Sequence, residues 1–373
     1  AGLQTISVGL LTGVVAEQFD AGTARSGTLS KDATIAVVES RMTLALLLPV
    51  RDEAVRRQVH LAVPPDEGQQ ERRGGRDDEA AVARAQLREL GTGRELRILV
   101  DALAVIEELA ATLERPEWLD AREGQPLPSG WHWMLFAPIA SQSTLGRDGH
   151  PSRAGDFLPA TAQPRRMWAG SRLTWRGQFR VGDRVTRTST IMSAEEKSGR
   201  SGSMVFVTLS HRLEVAGEVI VEEEQDLVYR GDASPDETAA LAKLAERALA
   251  GGIVPAKTGA LARAVNPDPT LLFRYSAATF NGHRIHYDRE YARNIEGYPG
   301  LVVHGPLIAS LLLGFIETEV ASGMKLESFE FRAKRPTFDI SPFALHAERP
   351  DGQGNFAIWS TNNVGEVAVE ASA

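Results

Sequence analysis

Between Arg172 and Arg230 apolar and polar side chains alternate with a period of two. The runs RLTWRGQF (172–179), DRVTRTSTIMSAEE (183–196), SMVFVTLSHRLEV (203–215) and EVIVEEEQDLVYR (218–230) carry the pattern, with turn-forming VGD and KSGRSGS between them. This predicts an antiparallel meander with one buried face. A second set of short alternating runs closes the chain: SFEFRAKRPTF (328–338), SPFALHAERPDG (341–352), NFAIWSTNN (355–363) and GEVAVEASA (365–373). GEVIVE at 217–222 and GEVAVE at 365–370 agree at five of six positions and close the same order of strands, which argues for an internal duplication.

Elsewhere the period is helical. LRILVDALAVIEELAATLERPEW (96–118) predicts a helix of about five turns closed by Pro116. GPLIASLLLGFIETEV (305–320) is apolar on nearly every side, so its helix is expected to be buried all round, as when a curved sheet wraps it. Pro306 suits the first helical position and sets the N–H groups around Gly305 at a helix N-terminus, which favours an anion or a polarised carbonyl oxygen. Residues 231–267 are Ala-rich and read as an inter-domain linker, separating a first domain at 96–230 from a second at 268–373. Residues 1–95, which include the charged, Gly-interrupted PPDEGQQERRGGRDDEAAVARAQLREL (64–90), read as an N-terminal extension without an assigned role.

The composition removes several kinds of chemistry. There is no cysteine, hence no disulfide, thiolate nucleophile or Cys-rich zinc site. A net charge of −8 with interspersed signs offers no basic face for nucleic acid. The longest apolar runs, LALLLPV (44–50) and LIASLLLGFI (307–316), fall short of the roughly 20 residues a membrane span needs, so a cytoplasmic protein is expected.

The segment TFNGHRIHYD (279–288) gathers the candidate chemistry, and three readings stand: catalytic, metal-binding, or a polar loop. An imidazole takes and returns protons near neutral pH, which makes His286 the candidate acid/base. Asn281 can hold water or a carbonyl, and the Gly305 N–H can stabilise an oxygen that gains charge. For the metal reading, His283, His286, Asp288 and His304 supply enough ligands, but their spacing is not diagnostic. PRRMW (164–168) and RAKRP (332–336) can contact the phosphates of a large acyl carrier, though solvated strand ends explain them equally well. Trp131, Trp133, Trp168 and Trp175 read as packing residues.

FRYSAATFNGHRIHYDREYA (273–292) followed by GYPGLVVHGPLIASLLL (297–313) resembles the MaoC-like hydratases and dehydratases of acyl thioesters. Within them it is most similar to the double hot-dog branch that includes mesaconyl-CoA and itaconyl-CoA hydratases and mitochondrial 3-hydroxyacyl-thioester dehydratases. PLPSGWHWMLFAP (126–138), LGRDGHPSRAGDFLP (145–159), PRRMWAGSRL (164–173) and RSGSMVFVTLSHR (200–212) extend the resemblance over roughly residues 90–373. It implies an α+β double hot-dog fold, each half a curved antiparallel sheet around a long helix, with the first half a degenerate copy. It also implies a lyase that hydrates an enoyl-CoA, of mesaconyl or itaconyl type, without metal or cofactor. The family's Asp–His pair and its Gly fall on Asn281, His286 and Gly305. Asn cannot act as a carboxylate base. The proton transfers are therefore expected of His286, with Asn281 positioning water and Gly305 holding the enolate oxygen. His283, Arg284, Arg274, Tyr287, His304 and Arg335 are the candidates for substrate binding, and the three arginines for a free substrate carboxylate. The expected partner is an acyl-CoA, with neither nucleic acid nor membrane, and a homodimer is left open. A hot-dog thioesterase and a non-catalytic acyl-CoA-binding subunit are the competing functions.

Overall fold

A computed structural model describes residues 95–101, 106–151, 157–159, 161–199 and 202–373; the expectation for an N-terminal extension falls on residues outside these, apart from Glu95. Among them, ten strands form one antiparallel sheet. The first five are β1 (Glu95–Asp101), β2 (Arg165–Trp175), β3 (Arg184–Gly199), β4 (Gly202–Val215) and β5 (Glu218–Arg230). The second five are β6 (Leu261–Val265), β7 (Ser328–Ala333), β8 (Phe343–Ala347), β9 (Ala357–Thr361) and β10 (Val367–Ser372). The spatial order is β1-β3-β4-β5-β2-β7-β10-β9-β8-β6.

That order reads the same from either edge. Each half runs edge strand, three-strand meander, inner strand, with β1 answering β6 and β2 answering β7. The duplication expected from GEVIVE and GEVAVE is present: Gly217 and Gly365 stand at positive φ just before β5 and β10, which end equivalent hairpins. The alternation expected of β4 holds side chain by side chain, since Val205, Val207, Leu209, His211 and Leu213 are all buried.

Two sequence expectations are corrected. Residues 96–118 are not one helix: Glu95–Asp101 is strand β1, paired with β3 along its whole length, and helix α1 spans Ile106–Thr112. A short apolar run satisfies both periods locally, and the open edge of β3 decides between them. The 231–267 linker is also shorter than read. Helix α2 (Pro235–Ala250), started by a capping box between Ser234 and Glu237, lies within it, but Leu261–Val265 is β6, paired with β8.

Helices α3 (Pro269–Ala278), α4 (Arg289–Asn294) and α5 (Gly305–Phe315) belong to the second half. Helix α5 buries Leu307, Ile308, Ala309, Ser310, Leu312, Leu313 and Phe315, as its all-round apolar sequence requires, and ends in a π turn over Ile316–Val320. In the first half the corresponding space holds the shorter α1 and the single turns Pro116–Trp118 and Trp131–Met134, with Trp118 packed on Trp131. No helix among the described residues is long and apolar enough to cross a membrane.

The halves meet where β2 pairs with β7, from Gly170 opposite Arg332 to Thr174 opposite Ser328. A bulge between Trp168 and Gly170 brings the Gly170 backbone so close to β7 that a Cβ there would lie 2.3 Å from the Phe331 carbonyl oxygen. Gly170→Ala should therefore force the seam apart and cost about 1–3 kcal/mol. Denaturant melts read this directly; an unchanged midpoint would show that the seam yields without strain.

Candidate active site

The sequence around the site folds by short-range rules. Asp268 caps α3 by accepting from the Thr270 and Leu271 N–H groups. The helix stops where Phe280 takes a left-handed conformation (φ 51°), with the Asn281 N–H bonded back to the Ser276 carbonyl. A bulky side chain in that conformation is strained, and the turn it makes carries Asn281 and His283 into the interior. Asn281 Oδ1 then accepts from the His283 N–H at 3.0 Å, fixing the turn. One 3-10 turn, Arg284–His286, follows, and Asp288 caps α4.

His286 is buried, and its Nδ1 donates to the Val302 carbonyl at 2.7 Å. A carbonyl only accepts, so the proton sits on Nδ1 and Nε2 keeps its lone pair. Burial holds this imidazole far below its ordinary value, at about 3, against the opposing pull of the Val302 bond, with His150 pushing the same way as burial. His304 stacks on it at 3.6 Å between ring centroids, fully buried, with Nε2 hydrogen-bonded to Ser276 at 2.8 Å. Desolvation keeps His304 and His283 neutral as well, both well below the usual imidazole range.

A cavity of about 600 Å³ runs between the two halves. His286, Asn281, His283, Gly305 and Arg335 line it. Gly305 is the first residue of α5, and the space where its Cβ would stand is open: among the described residues, its own helix and chain neighbours aside, the one atom near it is the Trp168 carbonyl oxygen at 3.8 Å. A helix start, whose first N–H groups have no partner within the helix, thus stands on the cavity wall at a residue without a side chain.

Other expected residues lie elsewhere. Arg274 is exposed on α3 and outside the lining. Arg284 is drawn onto Asp288 (2.7 Å) and over the Tyr291 ring, and Tyr287 donates to the Gly282 carbonyl at 2.9 Å. His304 supports His286 from behind rather than facing the cavity. Among the described residues the set His283, His286, Asp288 and His304 does not bring its ligand atoms together at metal-binding spacing; of the four, only His283 belongs to a group that does.

Sequence reasoning missed the contribution of the first half. Loop 146–150 presses against loop 281–284 so closely that a Cβ on Gly149 would fall 1.9 Å from the Gly282 carbonyl oxygen. The contact brings His150 against His283, at 4.1 Å between rings, with His150 Nδ1 bonded to Asp148 at 3.0 Å. A carboxylate thus stands behind the site although position 281 holds an amide. Asp148, His150 and His283 also have ligand atoms within 4.8 Å of one another, the spacing a metal ion would need. Trp133 and Trp168, read as packing residues, line the cavity edge to face with each other.

A duplicated antiparallel sheet of which the second half wraps a buried helix, with a helix start and a neutral imidazole on one cavity, is a double hot-dog architecture. Residues 130–339 match the model of the family "Hydroxyacyl-thioester dehydratase type 2". The chain belongs to this family, and its reaction class is the reversible addition or removal of water on an acyl-CoA. It is 45% identical over 243 residues to the mesaconyl-C(4)-CoA hydratase of Chloroflexus aurantiacus, covering 65% of this chain and 81% of that one. It is 26% identical to the mitochondrial hydroxyacyl-thioester dehydratase type 2 of Schizosaccharomyces pombe, covering 59% and 77%. Among solved structures, a MaoC-like dehydratase from Phytophthora capsici shares the fold, with a TM-score of 0.55 at 12% identity over 77% of this chain and 96% of that one.

The depressed histidines link stability to pH. Between each folded value and about 6.5 the unfolded chain binds protons that the folded chain does not. The contribution of these rings is therefore complete above about pH 6.5 and is lost as pH falls from there towards about 3, the folded value of His286. Unfolding free energy from denaturant titration should be lower at pH 5 than at pH 7.5, and His286→Gln should narrow the gap; a flat profile would mean that these rings are charged in the folded state.

Proposed function

We propose that the protein hydrates the α,β double bond of a short branched dicarboxylyl-CoA of mesaconyl or itaconyl type. The observation that carries this reading is His286: its free Nε2 lone pair faces the cavity onto which the Gly305 helix start also opens. In the hydration direction Nε2 takes a proton from water as the water oxygen bonds to the β-carbon. The negative charge that develops on the thioester oxygen is met by the Gly305 N–H and the α5 dipole. Asn281, with its oxygen engaged in the turn, offers its amide N–H to the water. The α-carbon is then protonated, and His150, oriented by Asp148, supplies the second acid/base that position 281 lacks. The pantetheine arm leaves along the β2–β7 seam, where Arg166, Lys334 and Arg335 line the cavity and suit the CoA phosphates.

His286→Ala with folding intact should lower kcat for a matched enoyl-CoA at least about 100-fold. Mass spectrometry for a gain of 18 Da, about one water, reads the reaction, and a thiol reagent for free CoA separates hydration from thioester cleavage. Near-normal turnover would remove His286 from the mechanism. Asp148→Asn should lower kcat by about 100-fold with little change in KM, and should displace the pH profile of kcat. An unchanged profile would make Asp148 a structural residue of its loop. Elemental analysis and chelation decide whether Asp148, His150 and His283 hold an ion instead.

A further inference from the structure

The inner face of the first half's sheet is not apolar throughout. Across it, Ser189 on β3, His211 on β4 and Glu223 on β5 stand opposite one another in a single row, with Arg187 one row away and Gln225 on the other side. All five line the cavity. Four of them are satisfied by protein. Ser189 donates to His211 Nδ1 at 2.8 Å, and His211 Nε2 donates to Gln225 at 3.2 Å. Glu223 accepts from Trp133 Nε1 at 3.0 Å and from the Ser171 hydroxyl at 2.6 Å, with His132 at 3.7 Å. Against the effect of burial, these neighbours hold the Glu223 carboxyl down at about 2, so it is ionised.

Arg187 is the exception. Its guanidinium lies over the Phe136 ring at 4.4 Å, and its Nε is buried without an acceptor. No hydrogen bond or ion pair joins it to any described residue, Glu223 included, although Glu223 acts on it through space. Burial pulls its pKa down to about 10, which still leaves it charged at neutral pH. A buried charge without hydrogen-bonded partners is costly, and this one has its donors at a cavity wall. Its surroundings mix apolar Phe136, Leu209 and Leu213 with the polar row of Ser189, His211 and Glu223, and the cations suited to phosphates lie instead at the β2–β7 seam.

We propose that Arg187 is the receptor for the free carboxylate of the acyl group, so that the first half, which lacks the catalytic segment, selects dicarboxylyl over monocarboxylyl thioesters. This rests on the substrate class proposed above and adds which residue reads it. A planar guanidinium grips a carboxylate through two parallel hydrogen bonds, and the Phe136 ring holds it flat.

The test compares mesaconyl-C4-CoA with 3-methylcrotonyl-CoA, in which a methyl group replaces the free carboxylate, in wild type, Arg187→Met and Arg187→Lys. The ratio of kcat/KM for the two thioesters should fall about 100-fold in Arg187→Met, with the methyl analogue little affected. Arg187→Lys, which keeps the charge without the fork, should lose about 10-fold in the same ratio, and it carries the test alone if the Met variant does not fold. An equal loss on both thioesters, or an unchanged ratio, overturns the proposal. Wild-type turnover of the methyl analogue alone overturns it and leaves the hydratase standing; turnover of neither overturns the substrate class as well.

Discussion

The antiparallel pairing of β2 with β7 is the contact on which the rest of the molecule depends. It turns two five-stranded sheets into one and removes the inner edge that each would otherwise expose. It also puts the groups proposed for catalysis and recognition on one cavity. Strand β2 supplies Trp168 beside Gly305 and Ser171 to Glu223, while the residues just after β7 bring Lys334 and Arg335 alongside Arg166. The bulge at Gly170 is the local device that permits so close an approach.

Within that frame, desolvation shapes the chemistry. His283, His286 and His304 are crowded together, and three imidazolium ions there would repel one another and lack hydration. Burial resolves this by keeping all three neutral. One hydrogen bond then separates their roles. The Val302 carbonyl takes the Nδ1 proton of His286 and leaves the opposite nitrogen basic, while His304 spends its Nε2 on Ser276 and becomes a flat support. A base that stays unprotonated far below neutrality is a weak proton acceptor in water. In the proposed hydration it works in a dry cavity, alongside a helix N-terminus that meets the charge it helps create.

Duplication explains why the two halves differ. Both keep the strand order, since the sheet is what each needs to bury its inner face, but among the described residues only the second shows the longer helix with the His–Gly–Pro step. Freed from that role, the inner face of the first half carries Arg187, Ser189, His211, Glu223 and Gln225 where an ordinary core would be apolar. Its loop at 146–150 reaches across to the turn that carries Asn281 and His283. Neither half contains the whole site.

Much was legible in the residues themselves, for reasons of range. The period-two runs, the all-round apolar helix after His304, the repeated GEV hairpin and the TFNGHRIHYD turn are encoded by neighbours a few positions apart, so the meanders, the buried helix and the places of His286 and Gly305 followed from local chemistry. Residues 96–101 misled because a short apolar run fits either period until β3 offers it an edge. The sequence offered Arg274, Arg284 and Arg335 for a carboxylate without deciding between them; in the structure Arg274 is exposed outside the cavity, Arg284 is held by Asp288, and Arg335 stays on the cavity wall beside Glu366. Arg187 sits in an unremarkable alternating strand, and Asp148 in a loop of the other half. That the first faces the cavity with no hydrogen-bonded partner among the described residues, and that the second stands behind His150 and His283, was decided only by strand register and the joining of the halves, because a side chain's partners across a sheet depend on long-range pairing that no local pattern encodes.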